Sequence, residues 1–194
     1  MKKNIPSIAL AVSFAMFSAF SVQADDNLQA EAKEAVADFL KADSTLQTFF
    51  DKSAGYAVFP GVGKGGFIVG GARGKGIVYQ NNKPIGESTM TQASFGAQVG
   101  GQTFAQIVFF ETPLALEDFK TGKFEMSAEV SAVAAAEGAS KAADYKKGVA
   151  VFTLAKKGLM VSASIGGQKF KYDPYPPQAT GREEPKPKEE PQTK

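Results

Sequence analysis

Leu28, Ala32, Ala35, Val36, Phe39 and Leu40 recur at helical spacing, with Glu31, Lys33, Glu34 and Asp38 between them. This predicts an amphipathic helix that ends near Lys41. Its polar face is acidic, whereas helices that lie on membranes favour Lys and Arg there, so the pattern predicts packing against a sheet. Asp43-Ser44 then offers an N-cap, Gln47 stands three residues after Ser44 as in a capping box, and Leu46, Phe49 and Phe50 form the apolar face of a short second helix.

From residue 53 to 79 the pattern changes to SAGYAVFPGVGKGGFIVGGARGKGIVY, in which glycine recurs among Phe, Ile, Val and Tyr. The stretch is too apolar for a linker. Glycine weakens a strand unless backbones approach closely, bulge or bend, so this density predicts the bent centre of a packed β structure. Two strands, 66–72 and 76–79, are expected on either side of a turn at Arg73-Gly74-Lys75, with a second turn at Asn81-Asn82 and a short strand over 84–89.

Residues 94–101 and 104–110 read as two further strands or one long bent one, and the second is apolar on both faces, as in a strand buried on both sides. Thr112-Pro113 is a helix start, with Thr as N-cap and Pro at the first helical position, and Gly122 is the stop. Between 125 and 134 apolar and polar residues alternate, which favours a strand, while the Ala and Glu content favours a helix. Residues 149–155 and 159–166 flank Lys156-Lys157-Gly158 as a hairpin, and 168–172 add a last strand.

Both ends of the chain are set apart from this pattern. Met1-Lys2-Lys3, an uncharged apolar run over 5–22 and the small residues before Asp25 have the form of a secretory signal cleaved after Ala24. The alternative, an uncleaved anchor, arises because the run approaches membrane-spanning length. From Pro174 the chain is Pro, Lys, Glu and Gln, too polar to order itself, so 176–194 is expected to be a disordered tail. The organisation predicted is thus a signal over 1–24, one domain over 25–175 and the tail, in a periplasmic or secreted protein.

The formal charge of +2 is accounted for by Lys2 and Lys3, so the mature chain sums to zero. Its charges are segregated: between 52 and 86 every charged residue is basic, namely Lys52, Lys64, Arg73, Lys75 and Lys83. There is no His, Cys or Trp, which removes the commonest general base, the thiol nucleophile, disulfides and most zinc-ligand sets. Gly61-Val62-Gly63-Lys64-Gly65-Gly66 matches G-x-G-x-x-G but is followed by Phe67-Ile68-Val69 rather than a helix, so it reads as a strand bend and not a dinucleotide fingerprint. No Walker motif, G-x-S-x-G serine or calcium loop occurs, and the paired carboxylates Glu117-Asp118 and Glu183-Glu184 read as solvated faces. No enzyme, cofactor or metal is expected. Lys64, Arg73, Lys75 and Lys83 alternate with glycines that could expose backbone N–H groups to phosphate, or are ordinary solubilising residues on loop tips; residue types alone weigh the two equally.

Gly55-Tyr56-Ala57-Val58-Phe59-Pro60, Lys64-Gly65-Gly66-Phe67 and 70–76 resemble the signature of the SYLF lipid-binding domain family, and 94–102 is similar to that family's second glycine-rich block. The resemblance covers roughly 39–172. It departs where Asp173-Pro174-Tyr175 lacks the family's Asn, and where Val161-Ser162-Ala163 lacks a glycine.

The resemblance implies a strand over 126–134 and a non-enzymatic module that binds membrane phospholipid or fatty acid, with Lys64, Arg73, Lys75 and Lys83 contacting head groups. An envelope protein is the alternative partner, because fungal members also bind actin. Nucleic acid is not expected, since the mature charge is nil. The fold expected is α+β: an antiparallel, strongly bent or barrel-like sheet with N-terminal helices and one inserted helix.

Overall fold

The computed structural model describes residues 18–66, 69–95, 102–124, 132–157 and 167–176. The helical spacing is realised in α1, Ser18–Ala42, whose Ala32, Ala35 and Phe39 are completely buried while Glu31, Lys33 and Glu34 face out. The helix runs through Ala24, the expected cleavage position. Among the described residues no helix is long and apolar enough to cross a membrane. Asp43 then turns the chain with an extended backbone, and its Oδ1 accepts from Thr45 N at 3.0 Å to cap a 3-10 turn over Ser44–Leu46 that leads into α2, Gln47–Lys52. The cap is therefore Asp43. The capping box is not made, because the Gln47 amide donates forward to Asp51 at 2.8 Å.

Among the described residues seven strands follow: β1 Gly55–Gly66, β2 Val69–Gln80, β3 Lys83–Phe95, β4 Gln102–Phe110, β5 Ala132–Ala134, β6 Val149–Lys157 and β7 Gln168–Pro174. They form one sheet in the order β5-β6-β4-β1-β2-β3-β7, antiparallel throughout except for the parallel pair β5 and β6. The fold is α+β, and among the described residues the sheet does not close: β5 and β7 are its ends. The inserted helix is α3, Pro113–Lys120, capped by Thr112 Oγ1 accepting from Ala115 N at 3.2 Å and stopped by Gly122 at φ 71°, as its sequence predicts.

The turn expected at Arg73-Gly74-Lys75 is not there. β2 runs unbroken through it and pairs along its length with β1 and β3. The glycines serve closeness instead: a Cβ on Gly74 would stand 2.9 Å from Val62 Cγ2, and one on Gly76 would stand 2.6 Å from the Phe59 ring. The turn at Asn81-Asn82 is real, with both residues at positive φ, 52° and 59°, as a two-residue hairpin between twisted strands requires. The short strand expected at 84–89 is the first half of β3. Of the strand expected over 126–134, 125–131 lies outside the described residues and the end is β5. The hairpin expected at 156–158 has its second arm outside the described residues as well, as does the tail beyond 176, and β7 pairs with β3.

Both faces of the sheet are apolar at its centre. On the first, Tyr56, Val58, Ile77, Tyr79, Ile107, Phe109 and Phe152 meet Ala32, Ala35 and Phe39 of α1 together with Leu46 and Phe49. On the second, Phe59, Val62, Val78, Met90, Phe104, Val108 and Phe110 meet Leu116 and Phe119 of α3. β4 separates the two, and every residue from Phe104 to Phe110 is buried, as expected of a strand covered on both sides. The sheet bends sharply around its second face. Rings from β1 and β7, Phe59 and Phe170, come within 5.7 Å although β2 and β3 stand between those strands.

One irregularity decides what faces the solvent. β1 shifts register between Phe59 and Val62, a bulge at Pro60-Gly61. Phe59 and Val62 both point into the second face, so beyond the bulge the alternation is reversed and Gly61 and Gly63 emerge on the first.

Candidate functional site: a basic strip with a glycine floor

The register places the four basic residues singled out from the sequence in three different settings. Arg73 and Lys75 are exposed, two apart on β2, on the first face beyond the buried Ile77. Lys64 is half-buried and stands opposite Ala72 and Gln102, on the second face. Lys83 is exposed and opens β3 opposite Gln80, five residues along β2 from Lys75, about 17 Å away. Only Arg73 and Lys75 come together.

They stand in two rows that cross the sheet. Arg73 lies between Gly63 on β1 and Thr91 on β3, and Thr91 in turn faces Lys169 on β7. Lys75 lies between Gly61 and Thr89, and Thr89 faces Lys171. All four cations are exposed, and alternation puts them on one face. The next row brings the acids: Glu87 and Asp173 are opposite each other, with Glu87 Oε2 3.8 Å from Lys75 Nζ and Asp173 Oδ1 2.8 Å from Lys171 Nζ. The patch therefore has four positive groups and an acidic border on one side.

Lys169 and Lys171 escaped the sequence reading. Their signal was present in the alternation Lys169-Phe170-Lys171-Tyr172, which puts both lysines on the face opposite the half-buried Phe170, but only the β3–β7 register carries them to Arg73 and Lys75.

Beside the cations the floor is bare. A Cβ at Gly61 or Gly63 would meet nothing within 4 Å, and neither has a positive φ. Packing therefore requires glycine at 74 and 76 but not at 61 and 63, where its effect is to keep the surface flat. The backbone of Gly63 is not free to receive an anion. Gly63 pairs with Arg73 on one side and Thr103 on the other, so its peptide groups belong to the ladder. The chemistry left to the strip is that of ammonium and guanidinium groups, which hold anionic oxygens by charge-assisted hydrogen bonds on a surface low enough for a broad partner to approach.

Residues 91–175 match the family described as Ysc84, Las17-binding protein actin regulator. The chain is also similar to the protein named beta cell expansion factor A from Aeromonas veronii, 33% identical over 132 residues. Those residues make up 66% of this chain and 49% of that protein, so the chain spans about half the length of this relative. The matched segment runs from the exposed end of β3, through β4 and α3, to the end of β7, and so includes Thr91, Lys169 and Lys171 of the strip.

Proposed function

We propose that the chain, whose residues 91–175 match the Ysc84 family, is a non-enzymatic SYLF-type lipid-binding module of the cell envelope that docks its basic strip on phospholipid head groups. The observation that carries this reading is the pair of cross-strand rows, Gly63-Arg73-Thr91-Lys169 and Gly61-Lys75-Thr89-Lys171. Four exposed cations spread over about 10 Å across the sheet and about 7 Å along it match a charged plane better than a single small anion. The low glycines beside them let such a plane come close. The secretory signal expected over residues 1–24 supports a location where envelope lipid is within reach, and the N-terminal sequence of the exported protein should then begin at Asp25.

Co-sedimentation of the chain with vesicles of phosphatidylglycerol and phosphatidylcholine tests the reading. Binding should rise with the phosphatidylglycerol fraction and be lost on reversing Arg73, Lys75, Lys169 and Lys171 to glutamate. Retention of binding by that variant would remove the strip from the account. Absence of binding to any vesicle would remove the lipid.

A second reading is favoured by the description of the matched family as a regulator that binds a protein, Las17. The same strip would then meet an acidic protein surface in the envelope. Pull-down from envelope extracts, with and without residues 176–194, separates the two, since lipid binding by the strip survives loss of the tail.

A further inference from the structure

A recess of about 420 Å³ opens where α2 meets the 3-10 turn over Ala139–Ala142 and the segment after it. Its inner wall is apolar: the rings of Phe49 and Tyr145 lie 5.4 Å apart, tilted by 51°. Its rim carries Lys52, Lys141 and Asp144, all exposed. The volume falls within the range of small-molecule sites, and a mostly apolar lining with few polar groups is their usual composition.

The polarity of the recess floor follows from a buried knot behind it. Asp43 is 1% exposed; its Oδ1 accepts from Thr45 N at 3.0 Å and from the Thr45 hydroxyl at 2.6 Å, and its Oδ2 accepts from Ser140 N at 2.8 Å. Burial by itself would raise the carboxyl's pKa, but the hydrogen bonds from Thr45 and Ser140 outweigh it and hold the group well below the usual carboxylate range. An ionised Asp43 takes the only hydroxyl proton of Thr45. The Ser140 hydroxyl, in contact with Thr45 Oγ1, must therefore turn its own proton inward as well. Ser140 is one of the recess residues, and its Oγ is left with lone pairs and no donor for anything that enters.

The recess thus presents cations, a carboxylate, an obligate acceptor and an aromatic wall. We propose that it binds a zwitterionic α-amino acid with an apolar side chain: the carboxylate of the ligand is held by Lys52 and Lys141, its ammonium by Asp144 and Ser140 Oγ, and its side chain lies against Phe49 and Tyr145. Neither the family's description nor the strip on the sheet bears on this site, which lies among residues of a different surface.

Isothermal titration of the full chain with L-phenylalanine, 3-phenylpropanoate and phenethylamine tests it, because the second lacks the ammonium and the third the carboxylate. Phenylalanine should bind, and each truncated probe should bind at least about tenfold more weakly. Lys52→Met combined with Lys141→Met should weaken phenylalanine about tenfold and leave phenethylamine unaffected, while Asp144→Asn should weaken phenylalanine and phenethylamine but not 3-phenylpropanoate. These are surface changes, and circular dichroism confirms the fold of each variant. Equal affinity for phenylalanine and 3-phenylpropanoate would overturn the donor requirement, and absence of binding by phenylalanine at about 10 mM would overturn the site.

Discussion

Gln106 on β4 and Gln168 on β7 exchange amide hydrogen bonds of 2.9 and 3.1 Å, although three strands stand between theirs in the sheet. Both side chains are buried, at 0% and 1% exposure. Their reciprocal pairing ties β7, and with it Lys169 and Lys171, across the interior of the bend. It is an all-or-none arrangement, because either amide left alone would be buried without its partner.

Replacing only Gln168 by leucine should therefore destabilise the protein by about 1–3 kcal/mol, read from urea denaturation midpoints. Replacing both glutamines by leucine should recover part of that loss, since two apolar groups leave nothing unsatisfied. A double variant as unstable as the sum of the single ones would show that the two amides act independently.

The glycines divide into two kinds, with opposite consequences. Gly76→Ala should cost about 1–3 kcal/mol, because its Cβ would press on the Phe59 ring and on Val58 O. Gly63→Ala should leave stability unchanged or raise it by about 0.4–1 kcal/mol, as the unfolded chain loses freedom and nothing crowds the new methyl. If glycine at 63 keeps the strip low for a membrane, a bulkier Gly63→Gln should fold normally in thermal melts yet sediment less with phosphatidylglycerol vesicles.

Charge on the strip should also be legible in salt. Arg73→Gln and Lys169→Gln should each reduce vesicle binding, and the binding that remains should fall less steeply between 50 and 300 mM salt, on the order of several-fold rather than tens of fold, because fewer exposed cations are left to screen. Lys64→Gln, which changes the other face, and Lys83→Gln, at the far end of β2, should leave vesicle binding close to that of the unaltered chain.

Asp43 connects α1, the following turn and Ser140, so Asp43→Ala should lower stability by about 2 kcal/mol at neutral pH. The sign of its pH dependence follows from its depressed folded pKa. The contribution is fully present above the unfolded carboxyl value of about 3.9 and is lost as pH falls through the folded value. The gap between the unaltered protein and Asp43→Asn should hence stay constant from pH 7 to about 5 and narrow only below about 4, in denaturation curves taken at each pH.

Elements with their own punctuation could be read before the structure. Thr112-Pro113 and Gly122 bracket α3, two-sided apolarity marks β4, and helical spacing marks the buried stripe of α1. The error at Arg73-Gly74-Lys75 has a physical cause, for glycine signals both a turn and a close strand contact, and only the position of Val62 and Phe59 beneath β2 distinguishes them. The candidate site was half legible. Arg73 and Lys75 come from one local run, but their partners are about a hundred residues away and join them through β3–β7 pairing, which no local pattern carries. Lys64 is grouped with them as another basic residue among glycines, and no local pattern tells that the bulge at Pro60-Gly61 leaves it on the other face.

The bulge at Pro60-Gly61 makes β1 a strand of two phases, each in step with a different part of the core. Deleting one residue there would remove the bulge and its kink yet leave Val62, Gly63 and Lys64 on the faces they now hold, because Phe59 and Val62 already share a face. The extra residue is thus what keeps Gly63 on the open surface and Lys64 off it: a straight β1 of the same sequence would turn its outer half inside out, with Lys64 beside Arg73 and Gly63 beneath the sheet.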